Sequence, residues 1–161
     1  MYEYQNKNHQ SSGFNKNSQS GNSTFGNQQQ ESVAERKFKE LIYNPEWIKK
    51  EADEDLIKYA EKAGEFMVKN GLTNSKIRSI YGEIKRIQIS TFEKEKSAFI
   101  LLKPKVAYAF GREEKNKNGG LHLFKLIFDR SSQDVSDQKS YLNFCNFMEA
   151  ILAYHKSFGG N

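Results

Sequence analysis

Cysteine and long apolar runs are almost missing from this sequence. Of its 161 residues only Cys145 is a cysteine, so it has neither an internal disulfide nor cysteine spacing of the metal-binding kind. No apolar run approaches the length of a membrane span. The N-terminal stretch MYEYQNKNHQ lacks the apolar core of a signal peptide. These absences favour a cytoplasmic protein with no membrane partner.

Catalytic motifs are missing as well. The sequence contains no HExxH, CxxC, GxSxG or phosphate-loop pattern, and its three histidines are His9, His122 and His155. His155 falls on the apolar stripe of the last predicted helix, which is typical of a core histidine rather than of a base or a metal ligand. Cys145 has the sequence neighbours of a small buried hydrophobe. We therefore expect a protein that is not an enzyme and that binds neither a metal nor a cofactor.

Composition divides the chain into two parts. Residues 1–30 are dominated by Asn, Gln, Ser and Gly and have almost no aliphatic side chains. Such a segment cannot bury enough apolar surface to offset the entropy lost on ordering. We therefore predict a disordered tail over residues 1–30 and one helical domain over residues 31–161.

Apolar residues in the second part recur with the period of a helix. The stretch GLTNSKIRSIYGEIKRI places Ile77, Ile80, Ile84 and Ile87 on one narrow face. Residues 46–69 predict one long helix, and Pro104 predicts a kink or break in the helix through KSAFILLKPKVAYAFGR. The pattern as a whole indicates an all-α, compact bundle of five to six helices.

The last predicted helix, from about residue 136 to 158, has an unusually wide apolar face. Its apolar side chains cover about half of the circumference. This width is explained either by a central position in the bundle or by contact of one edge with another protein. On the second explanation, we predict that Phe147, Tyr154 and Phe158 contact a partner subunit.

Positive charge is concentrated in the middle of the chain. Residues 71–125 carry 12 basic and 5 acidic side chains, whereas residues 31–70 carry 8 basic and 10 acidic ones. A localised excess of this kind favours one anionic partner over a generally cationic protein.

A helical wheel separates the basic residues of GLTNSKIRSIYGEIKRI. Arg78 and Lys85 are seven residues apart and share one flank of the predicted helix, with Gly82 beside them. Lys76 lies on the opposite flank, and Arg86 lies on the face away from the isoleucines. We therefore expect a small basic strip at Arg78 and Lys85 that Gly82 leaves open.

The next predicted helix adds a second basic group, Lys103, Lys105 and Arg112. Lys105 and Arg112 share one face, with Tyr108 between them. Cations around an exposed ring suit a nucleic-acid backbone, because cations pair with phosphates and the ring can stack on a base. The loop Lys115–Lys117 continues the charge, and no motif for reading a base sequence is present.

Other interpretations of these residues stay open. Lysine and arginine are ordinary solvated residues of amphipathic helices, and Tyr108 could belong to the core. A helical adaptor whose basic face binds an acidic protein partner is the second functional hypothesis, and a nuclease is a distant third.

Three stretches resemble a known family. GLTNSKIRSIYGEI, LLKPKVAYAFGR and FMEAILAYHKSFGG occur in this order and resemble the small subunit of the type III-A CRISPR–Cas effector, the Csm complex. The resemblance covers about residues 33–160. It implies an all-helical subunit without catalytic activity that acts in antiviral defence. Several copies would stack head to tail on one another, beside other Csm subunits, along the channel in which guide RNA pairs with target RNA.

The resemblance also implies which residues contact the RNA backbone. Lys76 and Arg78 belong to the SKIR motif, and Lys103, Lys105 and Arg112 belong to KPKVAYAFGR. Lys85, Arg86 and Tyr108 are added by the charge and ring arguments alone. Phe110 departs from the family pattern, which has a small residue, often alanine, before the Gly-Arg pair.

Overall fold

The computed structural model describes residues 31–113 and 119–160. Every regular element within these ranges is a helix, which confirms the all-α prediction. The tail predicted over residues 1–30 and the basic loop Lys115–Lys117 lie outside the described residues. The described helices are α1 (Val33–Glu40), α2 (Glu46–Lys49), α3 (Glu54–Lys69), α4 (Asn74–Ile89), α5 (Phe92–Ile100), α6 (Leu102–Gly111), α7 (Gly119–Ser131) and α8 (Gln138–Ser157), with a 3-10 turn at Ser132–Asp134.

The predicted count of five to six helices is wrong, because two predicted helices are each divided in two. Seven of the described helices have eight or more residues, and α2 is a single turn. The helix predicted over residues 46–69 is divided at Asp53, whose carboxylate accepts a hydrogen bond from the Leu56 N–H and so caps the start of α3. Asp53 also accepts the Trp47 indole N–H at 2.7 Å, which holds α2 against this cap.

The second division lies just before Pro104. Helix α5 ends at Ile100 and α6 begins at Leu102, so Pro104 occupies the first turn of α6. A first-turn N–H has no partner within its helix, and a proline there costs no hydrogen bond. The break was therefore predicted correctly, but it lies upstream of the proline rather than at it.

Helix α8 is central in the bundle and packs against α2, α3, α4 and α5. Its side chains Phe144, Met148 and Ile151 are fully buried. Gly64 of α3 lies so close to the backbone of α8 that a Cβ there would meet the Ile151 oxygen at 2.9 Å. The width of the apolar face of α8 is therefore explained by its neighbours within the chain.

The isoleucine face of α4 is buried as predicted. Ile77, Ile80, Ile84 and Ile87 are at most 2% exposed. The Tyr141 hydroxyl of α8 donates to the Ile84 carbonyl at 2.9 Å and fixes α4 on α8. The opposite face of α4 points outward, with α6 along one of its flanks and α8 along the other.

Candidate nucleic-acid interface

Helices α4 and α6 run antiparallel and enclose a surface groove. The Lys76 ammonium near the start of α4 lies 2.8 Å from the Glu113 carboxylate just beyond the end of α6. One end of the groove is therefore set by this pair, and the other by Lys105 at 3.7 Å from Glu83. We call this cleft of about 570 Å³ the α4–α6 groove, and its lining includes the side chains Ser75, Lys76, Ser79, Glu83, Lys105, Tyr108, Arg112 and Glu113.

Four of the predicted RNA-contact residues line the α4–α6 groove: Lys76, Lys105, Tyr108 and Arg112. The spacing within α6 accounts for three of them, because residues 105, 108 and 112 return to the same side of a helix. Lys76 joins them because α6 lies along its flank of α4. Tyr108 is 67% exposed, so it does not belong to the core.

Tyr108 and Arg112 form one unit on the rim of this groove. The guanidinium carbon of Arg112 lies 5.6 Å from the centroid of the Tyr108 ring, a cation–π distance. An exposed ring with a guanidinium beside it offers a stacking surface for a base and a charge for the adjoining phosphate.

Sequence reasoning missed the carboxylates in this groove. Glu83 accepts a hydrogen bond from Arg86 at 3.2 Å and lies near Lys105, while Glu113 pairs with Lys76. The pairing of Glu83 with Arg86 could have been predicted from their i, i+3 spacing. The pairing of Glu113 could not, because its sequence surroundings are those of a solvated loop. The groove therefore holds its lysines partly neutralised by acids of the same chain.

Arg86 and Lys103 are both exposed but lie outside the lining of the α4–α6 groove. Arg86 donates to Glu83 and also to Glu95 of α5 at 3.0 Å, and the hydrogen bond to Glu95 is the main reason that the pKa of Arg86 is raised. Lys103 has no ion pair with any described residue. Arg86 thus joins α4 to α5, and Lys103 extends the positive surface near the start of α6.

Arg78 and Lys85 lie on the other flank of α4, facing α8. The Lys85 ammonium pairs with Glu149 of α8 at 2.7 Å, and this hydrogen bond raises the pKa of Lys85. Arg78 is exposed and forms no ion pair among the described residues. Gly82 is exposed, with nothing within 4 Å of the position of a Cβ. The flank is open as predicted, but Glu149 already pairs with one of its two cations.

Phe110 lies against α7 rather than in the α4–α6 groove. Its ring stacks on His122 of α7 with 4.7 Å between centroids. The pKa of His122 is lowered, mainly by burial, and its Nδ1 lies 3.2 Å from the Ser32 hydroxyl. The departure from the family pattern at Phe110 is therefore accommodated between α6 and α7.

Of the three residues predicted to contact a partner subunit, Phe147 is the least accessible. Its side chain is fully buried among the rings of Tyr43, Trp47 and Tyr59, with centroids 5.6 to 6.0 Å from its own. Residue 147 faces α2 and α3, so the folded chain leaves no part of it for a partner. Tyr154 is half-buried and Phe158 is 41% exposed, so these two stay candidates for a subunit contact.

The described residues hold no cluster of the kind that binds a metal ion. No three or more His, Cys, Asp or Glu side chains among them are placed to hold a metal ion. Burial raises the pKa of the Cys145 thiol to about 11, so the thiol stays protonated at neutral pH. His155 is fully buried, and its Nε2 lies 2.9 Å from the Leu72 carbonyl. None of the helices in these ranges combines the length and the apolar character needed to cross a membrane.

Comparison with protein-family models assigns the chain to a family. The family model described as Csm2 Type III-A matches residues 50–161, which include α3 to α8 and both flanks of α4. No individual curated protein and no solved structure matches the chain. The family match covers more than half of the sequence and agrees with the resemblance of the three motifs. The chain therefore belongs to the Csm2 family, the small subunit of the type III-A CRISPR–Cas effector, the Csm complex.

Proposed function

We propose that this subunit contacts the backbone of the target RNA through the α4–α6 groove, without reading its sequence. The observation that carries the proposal is the convergence of Lys76, Lys105 and Arg112 around the exposed ring of Tyr108. Guide RNA supplies the sequence specificity by base pairing. The groove neutralises target-strand phosphates and keeps the guide–target duplex extended along the channel.

The proposal includes stacking and an absence of catalysis. Several copies stack head to tail beside the other Csm subunits, and cleavage belongs to those other subunits. Exposed apolar side chains such as Phe158 support a protein contact, since apolar surface is stabilised by burial. Because its partners are RNA and the other subunits of this effector, we assign the protein to the cytoplasm.

Reversal of two groove charges tests the RNA contact. The variant carrying Lys105→Glu and Arg112→Glu, assembled into the complex, should capture target RNA more weakly for two unrelated guide sequences alike. Each lost phosphate contact should lower the slope of log affinity against log salt by about 0.7 to 0.9. The matched control is Lys94→Glu with Lys96→Glu, because both are exposed lysines of α5 outside the groove lining and their replacement changes the net charge equally.

Two outcomes would contradict the RNA contact. Capture could be unchanged in the double variant, or it could be lost for one guide sequence and kept for the other. The first outcome would place the RNA elsewhere on the complex, and the second would indicate reading of the base sequence.

The alternative function is an adaptor that binds an acidic protein. The pairing of Lys76 with Glu113 favours it, because this groove already accepts a carboxylate. Salt-sensitive binding to random single-stranded RNA that is weakened in the variant Lys105→Glu with Arg112→Glu separates the two functions. An adaptor would bind its acidic protein and not this RNA.

A further inference from the structure

The flank of α4 that carries Arg78 borders a second groove. We call it the α4–α8 groove; its volume is about 360 Å³, and it is lined by Asn74, Ile77, Arg78, Tyr81, Glu149, Leu152, Ala153 and Lys156. Arg78 and Lys156 are exposed, and neither forms an ion pair among the described residues. Glu149 is already paired with Lys85. The groove thus has apolar side chains between two cations that none of the described residues neutralises.

The surface of α3 carries an exposed apolar side chain between two carboxylates. Ile57 is 45% exposed, and Glu54 and Glu61 lie three residues before it and four after it, hence on the same side of the helix. Both glutamates are exposed, and neither pairs with a cation in the described part of the chain. By contrast, Asp55 and Glu65 of the same helix are paired with lysines at 2.8 and 2.6 Å. We call Glu54, Ile57 and Glu61 the α3 ridge.

The α3 ridge and the α4–α8 groove cannot meet within one molecule. Helix α3 packs on the side of α8 that carries Ile151, where Gly64 makes its close approach. Leu152 and Ala153 line the groove, and residues 151 and 153 point about 200° apart around a helix. Helix α8 therefore stands between the two surfaces. A surface and its complement on opposite sides of a subunit form a heterologous contact, which repeats from one copy to the next.

Their chemistry suits a second copy of this chain. An apolar side chain flanked by two carboxylates matches an apolar floor flanked by two cations in polarity and in charge. The volume of about 360 Å³ equals that of roughly a dozen water molecules at about 30 Å³ each, which leaves room for one aliphatic side chain and its surroundings. None of the other exposed isoleucines, Ile42, Ile89 and Ile100, has a carboxylate both three residues before it and four after it.

We propose that the α3 ridge of one copy docks into the α4–α8 groove of the next, with Ile57 between Arg78 and Lys156. Glu54 and Glu61 pair with these two cations. The proposal rests on the stacking of copies in the proposed function and names the surfaces that stack. It assigns Arg78 to a protein contact rather than to RNA, because Arg78 lies on the flank of α4 opposite to Lys76.

Charge reversal and rescue in the assembled complex tests the docking. Arg78→Glu places two carboxylates together and should weaken addition of copies about tenfold or more, measured as copies per complex by native mass spectrometry across a dilution series. Two double variants, Arg78→Glu with Glu54→Arg and Arg78→Glu with Glu61→Arg, cover both pairings of Arg78. The one that restores the opposite-charge pair should recover the parent copy number, and the rescue fails when neither does. Lys96→Glu, at an exposed lysine of α5 outside the lining of both grooves, should leave the copy number unchanged.

Cross-linking gives a second measurement that does not depend on affinity. A chain carrying both Ile57→Cys and Ala153→Cys should give a ladder of disulfide-linked oligomers in the oxidised complex. The control chain with Ile57→Cys and Lys96→Cys should give none. The native Cys145 is buried and does not interfere.

The outcomes distinguish a failure of the proposed docking surfaces from a failure of the proposed function. A parent copy number in Arg78→Glu, a failed rescue, or an equal ladder from the control pair would overturn the docking while the RNA contact stands. Lysine-reactive cross-linking of the unaltered complex shows whether copies are adjacent at all. If they are not, stacking itself is wrong and the docking falls with it. Loss of RNA capture in the double variant of the α4–α6 groove would still support the RNA contact in either case.

Discussion

The Lys76 ammonium and the Glu113 carboxylate lie 2.8 Å apart, across the mouth of the α4–α6 groove. Both side chains are about one-third exposed, so the pair is within reach of solvent and of a ligand. A phosphate that pairs with the Lys76 ammonium must first separate it from the Glu113 carboxylate. The carboxylate therefore competes with RNA for the same cation and repels the incoming phosphate.

We expect Glu113→Gln to raise the affinity for RNA. A partly exposed pair of this kind is worth about 0.2 to 1 kcal/mol, so the gain in affinity should reach up to about fivefold. Fluorescence anisotropy of labelled single-stranded RNA with the assembled complex at fixed salt measures it. Increased salt should reduce the difference between the variant and the parent, because the repulsion that the variant removes is screened.

The control for Glu113→Gln is Glu93→Gln. Glu93 is an exposed glutamate of α5 with no ion pair in the described ranges, so its replacement changes the net charge equally without freeing a lysine. Equal gains in the two variants would show that net charge, and not the pair with Lys76, accounts for the effect.

Those parts of the fold that depend on neighbours in sequence were predictable. The isoleucine period of α4 and the stop at Asn70 and Gly71 are local, and Gly71 has the positive φ of 84° that ends α3. The division between α2 and α3 was not predicted, because the Asp53 cap competes with a continuous helical pattern. The position of α8 was left open, since an apolar face has the same appearance whether it packs on its own chain or on another.

The candidate site likewise has one part that the sequence predicts and one part that depends on how the helices pack. Lys105, Tyr108 and Arg112 share a face by spacing within one helix, which the sequence contains. Their convergence with Lys76 depends on α6 running back along α4. The pairing of Lys85 with Glu149 joins residues 64 positions apart, so no helical wheel could show that this cation is already neutralised.

Replacement of Tyr108 should separate stacking from charge. We expect Tyr108→Ala to lose about 1 to 3 kcal/mol per stacked base, or roughly 5- to 150-fold in RNA affinity, whereas Tyr108→Phe keeps the ring and binds as the parent does. Because the side chain is 67% exposed, the free energy of unfolding should change by less than about 0.5 kcal/mol in both variants. If the alanine and phenylalanine variants bind alike, the ring does not stack on a base.

Cys145 should be inert in the folded protein. Burial raises its pKa from about 9 to about 11, so at pH 8 the folded chain holds less of the reactive thiolate than the unfolded chain. Alkylation by iodoacetamide should therefore follow unfolding across a urea titration. The raised pKa also affects the free energy of unfolding. Between pH 9 and 11 the unfolded chain loses this proton before the folded chain does, so the free energy of unfolding falls as the pH rises. Rapid alkylation without urea would show that the thiol is accessible in the native state.

Phe147 and Phe158 of α8 should respond differently to replacement. Phe147 is fully buried among three aromatic rings, and Phe147→Ala should cost about 3 to 5 kcal/mol of the free energy of unfolding. Urea denaturation of the purified chain measures this as a lower midpoint with an unchanged slope. Phe158 is 41% exposed, so Phe158→Ala should cost less than about 1 kcal/mol. If Phe158 contacts a partner, its variant should stay folded and join the complex in fewer copies. A folded, stable Phe147→Ala chain that fails to assemble would restore Phe147 as a contact residue.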